Sequence, residues 1–191
     1  MATKKDSIRT FLIHEFGMEK GRELYEHQQM KLLYLIRSSE HYTKSQQKTL
    51  SKTILPRIAM FQILSEEMEN AEALLEAYMC YTVAPTMREK FKKIDKMPYG
   101  YAIFSRVFPL LMKRSDLWEA KISLKTKDEL GIDIYRCLWH DACVENDCPQ
   151  ICKHFCKCDD IMYSDLSSFG FQRTQTLGLN GSKCDFIFFR K

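Results

Sequence analysis

The hydrophobic period of this chain changes once, near Trp118, and that change limits what it can fold into. From about Asp6 to Met112, isoleucine, leucine, phenylalanine and methionine recur three and four residues apart, as at Met30, Leu33, Leu35 and Ile36. That spacing places them on one face of a helix. Gly17 and Gly21 bracket a break after a first short helix, and the next runs to about Ser38. His41 to Lys52 is polar, and Pro56 then starts or kinks a helix striped by Ile58, Phe61, Ile63, Leu64 and Met68. Asn70 is placed to cap the helix after it. Pro85, and then Pro98 with Gly100, interrupt before a very apolar helix over Tyr101 to Met112.

Beyond Trp118 the period becomes two. Ala120, Ile122, Leu124 and Thr126 alternate with Lys121, Ser123, Lys125 and Lys127, which predicts a half-buried strand. Asp128 to Gly131 reads as a turn, and Ile132 to Leu138 as the partner strand. Pro149 opens a helix to about Tyr163, and strands follow over Phe171 to Gly178 and Lys183 to Phe189. The expectation is an α+β fold in a single domain of 191 residues. A helical N-terminal half (1–115) precedes a cysteine-rich β-β-α-β-β half (116–191) that forms a four-stranded, mainly antiparallel sheet.

Asn180-Gly181 suits the centre of a two-residue type I′ hairpin loop. In that register Leu177 faces Cys184, Thr176 faces Asp185 and Arg173 faces Phe188. Arg173, Gln175, Leu177, Cys184, Phe186 and Phe188 then share one face. Two readings carry equal weight. The mix forms the floor of a pocket for a small polar ligand, or the apolar members are core and Arg173 reaches an edge.

Composition excludes several classes of function. A hydrophobic content of 45% and a charged content of 28% are those of an ordinary globular chain. A net charge of +4 is too small to imply nucleic acid. The basic run Arg88, Lys90, Lys92, Lys93 and Lys96 is broken by Glu89, Asp95 and apolar residues, so it reads as the solvated face of an amphipathic helix. No stretch is long and apolar enough for a membrane span, and the first residues lack the apolar core of a secretory signal. The expected partner is a small molecule, with neither nucleic acid nor membrane, and the expected location is cytoplasmic. The eight cysteines are then reduced thiols.

Seven of those eight lie between Cys137 and Cys184. Cys148, Cys152 and Cys156, followed by Asp160, fall at four-residue spacing along one predicted helix. Zinc can use two ligands so spaced, but no pair of knuckles is present. The expectation is no cofactor and no metal ligand, with zinc as the minor alternative and buried thiol packing as the common case. A thiol nucleophile needs a depressed pKa in a cleft. Cys148 at a helix start, and Cys156 and Cys184 if the helix crosses the hairpin, are the candidates, with His140 and His154 as bases. Asp159 and Asp160 sit near a helix C-terminus, where the dipole disfavours carboxylates.

Three segments carry a family resemblance. They are residues 50–64, with Leu55-Pro56-Arg57-Ile58-Ala59, residues 148–163, with Cys148-Pro149 and Cys156-Lys157-Cys158-Asp159, and residues 171–191. The last holds Arg173-Thr174-Gln175-Thr176-Leu177 and Gly181-Ser182-Lys183-Cys184-Asp185-Phe186. Together they resemble the L-2-amino-thiazoline-4-carboxylic acid hydrolase family across most of the chain. Cys158 departs from the pattern, which has a small polar residue there. The resemblance implies a hydrolase that opens a small ring containing carbon–nitrogen and carbon–sulfur bonds, giving N-carbamoyl-L-cysteine. Set against that chemistry, Cys156 and Cys184 are candidates for nucleophile or thiol ligand. Asp159 and Asp185 are candidates for acid and base. Arg173, with Gln175 and His140, is a candidate to hold the substrate carboxylate. The rival readings are a non-enzymatic small-molecule-binding or sensor module, similar to the vinyl-reductase-associated domains, and a zinc- or thiol-dependent redox partner.

Overall fold

The computed structural model describes residues 7–191. They form an α+β protein whose chain divides into two compact units, one ending at Val83 and the other running from Ala84 to Lys191.

The first unit is helical. It contains α1 (Ile8–Phe16), α2 (Met18–Ser38), α3 (Lys44–Thr49), α4 (Leu55–Glu67) and α5 (Ala71–Tyr78). The break at Gly17 is as the sequence predicts, and its φ of 78° explains the residue type. Gly21 has a separate reason. A Cβ there would meet the Ile13 backbone at 2.5 Å, so its absence lets α2 lie close against α1. The polar stretch around residue 45 is helical after all, because Thr43 and Gln46 form a reciprocal capping box that starts α3. Asn70 does stand at the N-cap of α5, without a side-chain hydrogen bond. Leu12, Leu24, Ile54, Ile58, Leu64 and Leu75 are fully buried in this unit.

The second unit opens with α6 (Ala84–Asp95) and α7 (Gly100–Arg114). Then come β1 (Trp118–Lys125), β2 (Glu129–Cys137), α8 (Leu138–Glu145), α9 (Cys152–Tyr163), β3 (Phe169–Gln172) and β4 (Cys184–Arg190). The sheet has four strands in the order β1-β2-β4-β3, and every neighbouring pair is antiparallel. The run of cations after Met87 lies on α6 as expected, with Met87, Phe91 and Ile94 turned to the core. That core is aromatic. Phe104 stacks on Phe169 at 4.8 Å between ring centroids, and Tyr163 meets Phe188 edge-on at 5.0 Å. Asp95, at the end of α6, accepts hydrogen bonds from the N–H and hydroxyl groups of both Ser167 and Ser168, at 2.7 to 2.8 Å. Those four donors hold its carboxyl at about 2, against the cost of burial.

Three expectations about this unit change. First, β1 is an edge strand with two register shifts, and Ile122 and Leu124 are exposed rather than half-buried. Second, the turn before β2 lies earlier, because the Thr126 hydroxyl accepts from the N–H groups of Asp128 and Glu129 and frees Gly131 for the ladder. Third, the final hairpin has a different register. Phe171, not Arg173, faces Phe188, and Leu177–Leu179 forms a 3₁₀ turn. Asp185 is the cause. Its carboxylate accepts from the N–H groups of Thr174 and Gln175, each at 2.9 Å, and from the Thr174 hydroxyl. Those bonds draw residues 173–176 out of the ladder into a wide loop, which Asn180 closes at φ 61°.

Candidate functional site

Helix α9 packs on β3 and on the 3₁₀ turn at Leu177–Leu179. Gly178 makes the approach close. A Cβ on it would lie 2.9 Å from Cys156 Sγ and 3.1 Å from Cys152 Sγ. The turn therefore sits directly over two thiols of the helix. Cys148, predicted on the same helix, lies before it and caps a separate 3₁₀ turn, because Pro149 starts that turn three residues ahead of α9.

Arg173 is the charged centre of this arrangement, and its side chain is only 9% exposed. Its guanidinium donates to Asp160 Oδ2 at 2.6 Å, to the Cys156 carbonyl at 2.8 Å and, at the long end, to Asp159 Oδ2 at 3.5 Å. It also lies over the rings of Phe171 and Phe186, 5.7 and 5.8 Å from their centroids. Of the two readings of that face, the fold supports the apolar core. The apolar residues of the predicted face, Cys184, Phe186 and Phe188, are core. Arg173 leaves the strand and folds back over them.

Asp159 is the group most displaced from its ordinary chemistry. Burial beside Tyr163 and the thiols pushes its carboxyl from 3.8 up to about 7. Arg173 opposes that rise, and the neighbouring Asp160 charge adds to it. The side chain keeps 28% exposure, so water reaches one edge of the carboxyl and softens the shift without reversing it. Asp159 therefore titrates near neutrality, where a group can both give and take a proton.

The thiols shift away from reactivity. Burial pushes Cys184 up to about 11, and the Leu177 N–H 3.4 Å from its sulfur only partly offsets this. Cys156 is raised further still, through its contact with Cys152, its burial and the nearby Asp159. Cys137 rises to about 12 by burial, although the N–H groups of Trp139 and His140 lie towards its sulfur. A thiolate nucleophile needs the opposite shift.

Of the residues singled out in the sequence, the fold brings together Cys156, Cys184, Asp159 and Arg173. It does not bring in Asp185, which faces away from Cys184 as neighbours on a strand must, and commits its carboxylate to the 174–175 loop. That ionised role holds Asp185 below the usual carboxylate value. Gln175 braces the same loop by accepting from the N–H and hydroxyl of Ser182. His140, on α8, stands 3.9 Å from Asp141. His154 is buried on α9.

Sequence reasoning missed Thr176, Tyr163 and α8 with Cys143. Thr176 is buried, and its hydroxyl lies by Cys156 without a well-aligned hydrogen-bond partner. A threonine in an apparent strand gives no hint of this. Helix α8 did leave a signal, with Leu138 and Ala142 at four-residue spacing and Asp141 in the first turn.

Among the described residues one cluster, Glu23, His27 and Glu67, has three side chains at metal-ligand separation. It is exposed, and Lys20 already bridges Glu67 at 2.7 Å and Glu23 at 3.3 Å. A shallow hollow lined by Thr126, Asp128, Glu129, Gln172, Phe189 and Arg190 contains no thiol and lies outside this grouping. No helix among the described residues is long and apolar enough to cross a membrane.

Fold and site together define an α+β protein with a buried arginine, an elevated carboxyl and a row of protonated thiols between one helix and a four-stranded antiparallel sheet. The signature of the L-2-amino-thiazoline-4-carboxylic acid hydrolase family matches residues 47–188, most of the chain. The protein belongs to that family, as its sequence motifs imply. A comparison with curated proteins gives no match. Among solved structures, a crystal structure of an Fe(II) unliganded H-NOX protein from K. algicida is similar at a TM-score of 0.33 and 11% identity. That alignment covers 98% of this chain and 96% of the other.

Proposed function

We propose that the protein hydrolyses a small cyclic carbon–nitrogen/carbon–sulfur substrate, such as L-2-amino-thiazoline-4-carboxylate, to N-carbamoyl-L-cysteine. The observation that carries this reading is Asp159, a carboxyl raised to about 7 within reach of a buried arginine in a chain of this hydrolase family. In the reaction water adds to the ring carbon between sulfur and nitrogen, and the ring nitrogen takes up one of its two protons as the new carbonyl forms. The carbon–sulfur bond breaks, and the sulfur leaves with a proton. Ionised Asp159 takes a proton from the attacking water, and its acid form returns one to the departing sulfur. Arg173 holds the substrate carboxylate by exchanging its contact with the half-exposed Asp160 for one with the ligand. The thiols of Cys156 and Cys184 wall the reacting ring. Their raised pKa values favour direct attack by water over a covalent intermediate. All eight cysteines are free thiols, which suits a reducing, cytoplasmic setting.

The test is turnover of the thiazoline by purified protein, followed by mass spectrometry as the gain of one water. Asp159→Asn is expected to lose at least about a hundredfold in kcat, the usual worth of a general acid–base. Arg173→Ala is expected to lose turnover while keeping the fold, whereas Cys184→Ser is expected to keep most of it, because that thiol only walls the ring. Full activity in both Asp159→Asn and Arg173→Ala moves the site elsewhere. Binding of the thiazoline without turnover by the unaltered protein replaces the hydrolase with a binding module.

A further inference from the structure

Helix α7 buries one side in the aromatic core, through Tyr101, Phe104 and Met112. On its other side, every exposed side chain from Ile103 to Arg114 is aliphatic or cationic. Ile103, Val107, Leu110 and Leu111 make up the aliphatic part, at the three- and four-residue spacing of one helix face. Leu110 is 57% exposed and Leu111 60%, so this face is open to water. Arg106, Lys113 and Arg114 border it. Tyr99, also exposed, stands one turn before Ile103. The face continues onto the sheet. Ile122 of β1 pairs with Ile132 of the core, which puts it on the side where α7 packs, yet it is 51% exposed. The hydrolytic reading uses none of these side chains.

An open apolar face of this kind marks a docking surface, and its charge selects the partner. Residues 84–114 hold eight lysines and arginines against Glu89 and Asp95 alone, whereas the whole chain has 29 against 25. The positive surplus of the chain is therefore concentrated in α6 and α7. Helix α7 has no acidic residue, and among the described residues Arg106, Lys113 and Arg114 form no ion pair. The partner carries negative charge. A second copy of this face does not, because it would set cation against cation with no acid on α7 to answer them. Nor does a face of aliphatic and cationic side chains fix the register of a protein partner. A bilayer needs no register. It takes the aliphatic side chains of a surface helix a short way into the acyl boundary, leaves long cationic ones among the headgroups, and holds tyrosine at the same level.

We propose that the Ile103–Leu111 face of α7 docks the protein peripherally on an anionic lipid bilayer, with Arg106, Lys113 and Arg114 among the headgroups. The expectation of no membrane partner rested on the lack of a spanning stretch. A helix that lies on the surface needs neither the length nor the uniform apolarity of a span.

The experiment is co-sedimentation of the reduced full chain with vesicles of phosphatidylcholine, with and without phosphatidylserine. Binding is expected to the anionic vesicles, to weaken as salt rises, and to be at least tenfold weaker on neutral ones. Leu110→Asp combined with Leu111→Asp should weaken it at least tenfold. Arg106→Gln and Arg114→Gln should each cost about fivefold, the worth of one cation near an anionic leaflet. Met30→Asp and Leu33→Asp, at exposed apolar positions of α2, should leave binding unchanged. No binding to anionic vesicles overturns the proposal. So does equal binding to neutral vesicles, or full binding by the doubly substituted chain. Sedimentation that shows a dimer, lost in that same variant and without vesicle binding, gives the face to a second copy and overturns it too. The lipid and salt dependence is read on the unaltered protein, so it stands even if a variant misfolds.

Discussion

Replacing Asp159 by asparagine should make the protein more stable and less active at the same time. A carboxyl moved from 3.8 to about 7 corresponds to roughly 4 kcal/mol of unfavourable ionisation, at about 1.4 kcal/mol per unit. Water at its exposed edge reduces that, so we expect about 1–2 kcal/mol. Arg173 is not orphaned by the change, since Asp160 still accepts from it at 2.6 Å. The direction with pH follows from proton binding. Between about pH 4 and pH 7 the folded chain holds a proton on Asp159 that the unfolded chain has lost, so stability falls as pH rises through that window. Asp159→Asn removes this slope. The two proteins should unfold alike at pH 4 and differ by about 1–2 kcal/mol at pH 8, with the variant ahead. Urea unfolding followed by tryptophan fluorescence reads this cleanly, because Trp118 and Trp139, stacked at 5.5 Å, are the only tryptophans and both lie in the second unit. A variant that is less stable than its parent at pH 8 would show the Arg173–Asp159 pair to be net stabilising, and would refute burial as the dominant influence on this carboxyl.

Asp95 should behave in the opposite sense. Its carboxyl is held at about 2 rather than 3.8, so it adds about 2 kcal/mol above the ordinary value, and this is lost as pH falls towards 2. Asp95→Ala should therefore cost about that much at pH 7 by the same fluorescence assay, and the gap should narrow in acid. Gly178→Ala puts a methyl 2.9 Å from Cys156 Sγ and 3.0 Å from the Cys152 backbone. A loss of about 1–3 kcal/mol is expected, together with weakened turnover, and an unchanged melting curve would contradict the close packing. Asp185→Ala removes the acceptor for three donors of the 174–175 loop. It should cost about 1–3 kcal/mol and speed amide exchange at Thr174 and Gln175 without touching the β2–β4 pairing.

The sequence determined the elements that depend on local chemistry. The period change near Trp118 separates helices from sheet, and Gly17, Pro56, Pro85 and Gly100 place the helix boundaries within a few residues. Those signals are readable because periodicity and the backbone limits of glycine and proline act over a single turn or strand. The motifs around Cys156, Arg173 and Cys184 lie on segments that the fold brings together. Tertiary structure decided everything that depends on side chains distant in sequence. The Asn180-Gly181 signal was real, but Asp185 overrode the two-residue turn by offering its carboxylate to Thr174 and Gln175, and shifted the register of the last hairpin. The cysteines at 148, 152 and 156 suggested one helical row. Pro149 broke that row, leaving Cys148 before α9 and only Cys152 and Cys156 of the three on it. The elevated Asp159 is the clearest case. Its neighbour Asp160 adds to the rise, but the larger influences are burial and an arginine fourteen residues away. The desolvation of a charge exists only once the fold has closed around it.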